Sequence, residues 1–242
     1  MKFKLKKAGV EVLHIDENYV LVSKPSGLLS IQDRYKAEVP NLKQMLMDEY
    51  GEILTVHRLD KDTSGVVCFA RNAAAHKHLN KQFADGVVRK IYWAFVQGRP
   101  NIEEGHVDLP ILNDMQNSGR MLIHKEGKEA LTYFRLLENF GNISLLECYP
   151  KTGRTHQIRV HCFYLGCPLL VDELYHQKGV FYLSKVKRNY NYTKFEDERP
   201  LISRLTLHAK SIQFETLDGE RLEIESDLPK DLRALHQQLK KI

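Results

Sequence analysis

Apolar positions along these 242 residues switch repeatedly between a spacing of two and a spacing of three to four. Val10 to Leu13 and Tyr19 to Ser23 read as short strands around the turn Asp16-Glu17-Asn18. Lys24-Pro25-Ser26-Gly27 then interrupts the pattern, as proline and glycine do. Leu42, Met45 and Leu46 give helical spacing from Asn41 to Tyr50, closed by Gly51. Val66 to Ala70 is an unbroken apolar run of the kind a buried strand needs. Asn72 caps a helix with Ala75, Leu79 and Phe83 on its inner face, ended by Gly86. On a strand from Lys90 to Val96, Ile91, Trp93 and Phe95 face a core, while Lys90, Tyr92 and Ala94 face away. Residues 131–137 and 143–149 are strand candidates around Asn139-Phe140-Gly141-Asn142. A helix from Arg154 to Leu165 turns Ile158, Cys162 and Leu165 inward and stops at Gly166. Residues 211–214 and 222–224 flank the hairpin signal Asp218-Gly219, and Pro229 opens a last helix carrying Leu232, Leu235 and Leu239.

Many strand pairs lie next to each other in sequence and few helices separate them. That order predicts an α+β fold with a mixed, largely antiparallel sheet flanked by helices. With no repeat, low-complexity stretch or linker, residues 1–242 are expected to form a single domain. Hydrophobic residues at 43% and charged residues at 28% suit a soluble globular protein. No apolar run approaches the roughly 20 residues of a membrane helix. The basic opening Met1-Lys2-Phe3-Lys4-Leu5-Lys6-Lys7 lacks the apolar segment of a secretion signal, so a cytoplasmic location is expected. Cys68, Cys148, Cys162 and Cys167 form no Cys-x-x-Cys pair, match no zinc spacing even with His161, and read as small buried hydrophobes.

The net charge is +5, and its distribution says more than its size. Residues 185–204 carry Lys185, Lys187, Arg188, Lys194, Arg199 and Arg204 among Tyr190, Tyr192 and Phe195, whereas residues 215–231 are strongly acidic. The first segment is either a solvated loop or a face for a polyanion.

The most informative run is His57-Arg58-Leu59-Asp60-Lys61-Asp62-Thr63-Ser64-Gly65. Leu59 is its only apolar residue, so this is a polar loop feeding the apolar strand that follows. Such a loop either satisfies its own backbone as a turn or holds a catalytic group still on a strand edge. A nucleophilic carboxylate must stay ionised, which in a dry cleft calls for a fixed cation. Arg159, on a helix opened by the turn Lys151-Thr152-Gly153, is such a cation, unless it is a surface arginine. That turn and its basic neighbours also suit a phosphate. Tyr92 is either a half-buried sheet tyrosine or a ring on which a nucleobase stacks.

Taken in order, His57-Arg58-Leu59-Asp60 to Thr63-Ser64-Gly65, Lys90-x-Tyr92-x-Ala94-x-Val96-x-Gly98, Thr152-Gly153-Arg154-Thr155-His156-Gln157-Ile158-Arg159-Val160-His161 and Leu207-His208-Ala209 resemble the RluA-type pseudouridine synthases. Lys24-Pro25-Ser26-Gly27-Leu28 is similar to that family's early loop, and the matches span residues 10–214. The resemblance implies a catalytic domain with its cleft across the sheet. It implies isomerisation of uridine to pseudouridine in structured ribosomal or transfer RNA, without cofactor or metal. By the same resemblance Asp60 is the essential carboxylate, attacking ribose C1′ or removing a ribose proton. Arg159 pairs with Asp60, and Tyr92 stacks on the uracil and helps remove the C5 proton. Arg58 enters the space left by the extruded base. His57, Thr63, Arg154, His156, Leu207 and Lys24 are assigned to RNA or substrate binding.

Two features depart from that pattern. The first strand begins at Val10, so no separate N-terminal RNA-binding domain is expected, and residues 176–204 match no motif and read as an RNA-facing loop. A monomer is the default expectation. Two other readings compete. Asp60-Lys61-Asp62-Thr63 fits the Asp-x-Asp-x-Thr pattern of metal-dependent phosphotransferases, although His57 and Arg58 spoil the apolar approach which that pattern needs. A non-catalytic RNA-binding protein could use the same scaffold.

Overall fold

The computed structural model describes residues 2–117, 119–176, 179–187 and 197–242, with side chains from Leu5 onward. In chain order the elements are α1 (Lys2–Lys7), β1 (Glu11–Ile15), β2 (Tyr19–Lys24), α2 (Leu42–Tyr50), β3 (Leu54–Thr55), β4 (Ser64–Ala70), α3 (Ala73–Ala84) and β5 (Arg89–Gln97). There follow β6 (Glu104–Asp108), β7 (Ile111–Asn113), β8 (Met121–Ile123), β9 (Leu131–Asn139), β10 (Ile143–Pro150), α4 (Gln157–Tyr164) and a short 3-10 turn at Leu183–Lys185. The chain closes with β11 (Leu207–Glu215), β12 (Arg221–Glu225) and α5 (Lys230–Leu239).

The chain divides into two compact units. Unit one holds Met1–Tyr92 and His208–Asp227; unit two holds Trp93–Leu207 and Leu228–Ile242. β5 and β11 therefore each contribute to both.

In unit one the strands run β1, β2, β4, β11, with β3 also on β4 and β12 also on β11. All these pairings are antiparallel except β4 with β11, where Ser64 faces His208 and Gly65 faces Ala209. Every residue of β4 is buried, which is why its sequence is unbroken and apolar rather than alternating. Helices α2 and α3 begin where the sequence places them. Asn41 Oδ1 accepts from Gln44 N at 3.0 Å, and Asn72 Oδ1 accepts from Ala75 N at 2.9 Å. Leu42, Leu46, Ala75 and Leu79 are buried against Val20, Val22, Val67 and Phe69 in one core.

In unit two the order is β5, β10, β9, β6, with the β7–β8 pair apart. β10 pairs antiparallel with β9, and β9 with β6. The apolar face of α5, Leu232, Leu235 and Leu239, closes a core with Phe95, Ile143 and Leu145. The strand pairing is thus mixed and mostly antiparallel, as the hydrophobic pattern predicts.

Three expectations shift. Lys90, Ile91, Tyr92 and Trp93 are all half-buried and Ala94, Phe95 and Val96 all fully buried, so β5 lacks the expected alternation, and Tyr92 packs on a core instead of facing away from one. Helix α4 begins at Gln157 rather than Arg154, because His156 takes up the left-handed conformation (φ 55°, ψ 19°). Parts of the stretch 176–204 belong to the interior. Phe181 and Ile202 are buried and bridge each other, and Arg204 forks onto Asp231 at 2.7 and 2.8 Å. Arg188, Tyr190, Tyr192, Lys194 and Phe195, the heart of the basic-aromatic segment, lie outside the described residues. The four cysteines are buried and free.

Candidate active site

The turn that carries Asp60 is fixed through its carbonyls. Leu59 O accepts from Ser30 Oγ at 2.8 Å, and Asp60 O accepts from Thr63 N at 3.2 Å. Lys61 O accepts from Gly27 N at 2.9 Å and from Lys24 Nζ at 2.8 Å, and Asp62 O accepts from Ser26 Oγ at 2.7 Å. Four successive carbonyls are therefore held, three of them from the segment 24–30. Leu59 N also donates back to Ser30 Oγ at 3.1 Å. A turn this constrained presents a half-buried Asp60 from a backbone that does not depend on its own side chains.

Lys24 corrects one expectation. Its side chain is fully buried, and its ammonium also donates to Pro25 O at 2.9 Å and Leu28 O at 2.7 Å. A buried cation ringed by carbonyls braces the turn and offers no charge at the surface to RNA. His57 is corrected in the same way. Its Nε2 accepts from Cys68 N at 3.0 Å, and its ring lies 5.0 Å from that of Phe83. Burial first, and the Lys90 charge second, hold its pKa down to about 3, so it is a neutral brace at physiological pH. Thr63 is buried as well, whereas Arg58, Lys61 and Asp62 are exposed on the turn.

Behind the turn, two of the sequence motifs meet. Ser64 Oγ lies 3.0 Å from His208 Nδ1, and His208 Nε2 donates to Ser226 O at 3.1 Å. Gly65 has φ 114°, and a Cβ there would sit 2.2 Å from Ala209 O. Only glycine lets β4 and β11 approach in this way. The close approach was not legible in the sequence, nor were the hydrogen bonds from Ser26 and Ser30.

Tyr92 shares unit one with Asp60 and packs against that unit's core. Burial, and then the charge of Asp60, raise its phenol well above the usual tyrosine range. At neutral pH it is a protonated ring that can stack or donate, and this counters the expected help in removing the C5 proton.

The other predicted residues belong to unit two. Gln157, at the head of α4, accepts from Arg154 N at 3.0 Å and Thr152 Oγ1 at 2.7 Å, and donates to Leu131 O and Thr132 Oγ1, each at 2.9 Å. That buried amide secures the turn before the helix. Arg154 is exposed, with Nε on Glu129 O at 2.9 Å, and His156 is half-buried. Arg159 is buried and forks onto Asp172, Nε to Oδ2 at 2.8 Å and Nη2 to Oδ1 at 2.7 Å. Sequence reasoning missed Asp172; its place after Leu170-Val171 gives no local signal of an ion pair. Leu207 is buried at the start of β11. Among the described residues, no group of three or more His, Cys, Asp or Glu is placed to hold a metal ion.

Residues 18–163 match the family model described as RNA pseudouridylate synthase. The chain belongs to that family. It is 34% identical over 210 residues to the dual-specificity RNA pseudouridine synthase RluA of Vibrio vulnificus, covering 84% of this chain and 77% of the relative. It is 40% identical over 177 residues to the ribosomal large subunit pseudouridine synthase D of Borreliella burgdorferi, covering 69% of this chain and 54% of that protein. Among solved structures, human RNA pseudouridylate synthase domain containing 4 superposes with a TM-score of 0.71 at 24% identity, covering 98% of this chain and 95% of that one. That likeness extends the shared fold across nearly the whole chain. Pseudouridine synthases are isomerases, and this chain takes its place among them.

Proposed function

We propose that this chain converts uridine to pseudouridine in structured ribosomal or transfer RNA, acting as a cytoplasmic monomer without metal or cofactor, with Asp60 as the essential carboxylate. The observation that carries the reading is the turn itself, in which four held carbonyls fix a carboxylate in a member of this family. The names of the Vibrio and Borreliella relatives, one a dual-specificity RNA pseudouridine synthase and one a synthase of the large ribosomal subunit, support RNA, ribosomal RNA included, as the substrate.

The N1–C1′ bond of the uridine breaks, the uracil turns, and C5 bonds to C1′. The C5 proton leaves and N1 regains one, so the product has the mass of the substrate. Neither C1′ nor C5 is reachable in a stacked nucleotide, so the base is flipped out, at a few kcal/mol. Asp60 attacks C1′ or takes a ribose proton. Arg159 supplies a guanidinium to the reaction, and Tyr92 stacks on the freed uracil. Arg58, exposed beside Asp60, fills the space the base leaves. Arg154 and His156 contact the RNA backbone.

The test is tritium release from RNA labelled at uracil C5. Asp60→Asn is expected to lose at least a thousandfold in rate while binding RNA within threefold of the parent, on the order of 4 kcal/mol of barrier. Equal turnover by the variant removes Asp60 from the reaction, and no turnover by the parent on any RNA leaves a binding protein. Turnover is expected to persist in EDTA; its loss would restore the metal-dependent alternative.

A further inference from the structure

Arg159 is held in two directions at once. In its own plane, the Nε–Nη2 edge of the guanidinium meets both oxygens of Asp172, at 2.8 and 2.7 Å. Over the face of the Tyr175 ring, the guanidinium carbon stands 5.1 Å from the ring centre. The holders are themselves held. Asp172, whose side chain is fully buried, also accepts through Oδ1 from Leu174 N at 3.1 Å and Tyr175 N at 3.3 Å. The Tyr175 hydroxyl accepts from Met121 N at 2.8 Å and is hydrogen-bonded to His156 Nδ1 at 3.0 Å. A second guanidinium, that of Arg120, lies 5.5 Å from the same ring.

A long, flexible side chain is thereby reduced to one orientation. Buried ion pairs of this kind are weak stabilisers compared with apolar packing, so what the arrangement supplies is direction. With the Nε–Nη2 edge taken by Asp172, two-point pairing with a second carboxylate is possible only through the Nη1–Nη2 edge. The same four-residue turn, through Tyr175, also grips His156, the one non-glycine among the described residues with a positive φ. Strain of that kind persists only where the surroundings enforce it.

We propose that Asp172 and Tyr175 are positioning residues that set the plane and direction of the Arg159 guanidinium for the isomerisation. The proposal rests on the reading that Arg159 takes part in the reaction, and the test separates the two. Full-length Asp172→Asn, Asp172→Glu, Tyr175→Leu and Arg159→Ala are compared with the parent on bulk ribosomal and transfer RNA. The RNA is tritiated at uracil C5 and taken from cells lacking the gene. Near-UV circular dichroism reports folding, and RNA affinity is measured separately.

In folded variants at Asp172 and Tyr175, kcat is expected to fall at least thirtyfold while RNA affinity stays within threefold. Asp172→Glu keeps the buried charge and displaces it by one methylene, so it decides the matter if Asp172→Asn does not fold. Parent-like kcat in these variants while Arg159→Ala is impaired overturns the proposal and leaves the role of Arg159 standing. Parent-like kcat in Arg159→Ala overturns both. Equal losses of rate and affinity, or the unfolding of every variant, would mark the cluster as structural and overturn the proposal.

Discussion

At the scale of single residues, the side chains around Asp60 divide into those that hold and those that reach. Lys24 and His57 hold. Replacing Lys24 by Met leaves the carbonyls of Pro25, Leu28 and Lys61 without that donor, and is expected to destabilise the protein by about 2–3 kcal/mol, read as a lower urea midpoint. His57 predicts a pH signature. Its pKa falls from an ordinary 6.5 to about 3 on folding, so between those values the unfolded chain binds more protons. Stability therefore falls as pH drops from 6.5 towards 3. His57→Gln is expected to flatten the upper part of that decline, above pH 5, where most carboxylates remain ionised. An unchanged slope would show that His57 is already charged in the fold.

The motif carrying Asp60 was legible in the sequence because its charged residues, Arg58, Asp60, Lys61 and Asp62, could serve neither a strand nor a helix core. What Lys24 and His57 do was not legible. Lysine and histidine beside a family motif suggest contact with an anion, and only coordinates show their nitrogens turned inward to the backbone.

At the scale of elements, strands and caps were readable wherever one local force dominated. Asn41, Asn72 and Asp218-Gly219 act within a few residues of themselves, and each appears where expected. Elements decided by distant partners were not readable. β6, β7 and β8 are short and mixed in character, and exist through pairing with one another or with β9. Helix α4 starts late because His156 is left-handed, after a turn that the Gln157 side chain secures, and α1 was hidden under a run of lysines. Gly65 gives the sharpest test at this scale. Gly65→Ala places a methyl against Ala209 O and should cost about 3 kcal/mol or more, seen as a fall in melting temperature, with Gly27→Ala as a roomier comparison.

At the scale of the whole molecule, a net charge of +5 and a polyanionic substrate together make binding a matter of displaced counterions. RNA affinity is expected to fall about tenfold or more between roughly 50 and 200 mM salt, while kcat at saturating RNA changes little. A flat response would argue that contacts to bases, rather than phosphates, dominate. The family assignment covers the chain broadly, yet the residues singled out for chemistry are shared between two discontinuous stretches of sequence: Asp60 and Tyr92 in one unit, Arg154, His156 and Arg159 in the other.

The carbonyl-held turn has an evolutionary corollary. Since the main chain from Leu59 to Asp62 is anchored by its own oxygens, the outward side chains of Lys61 and Asp62 are not needed to keep Asp60 in place. Mutation there can redraw the exposed surface of the turn while the Asp60 carboxylate stays where it is. A lineage built on this turn is free to vary those two positions without rebuilding the support beneath Asp60.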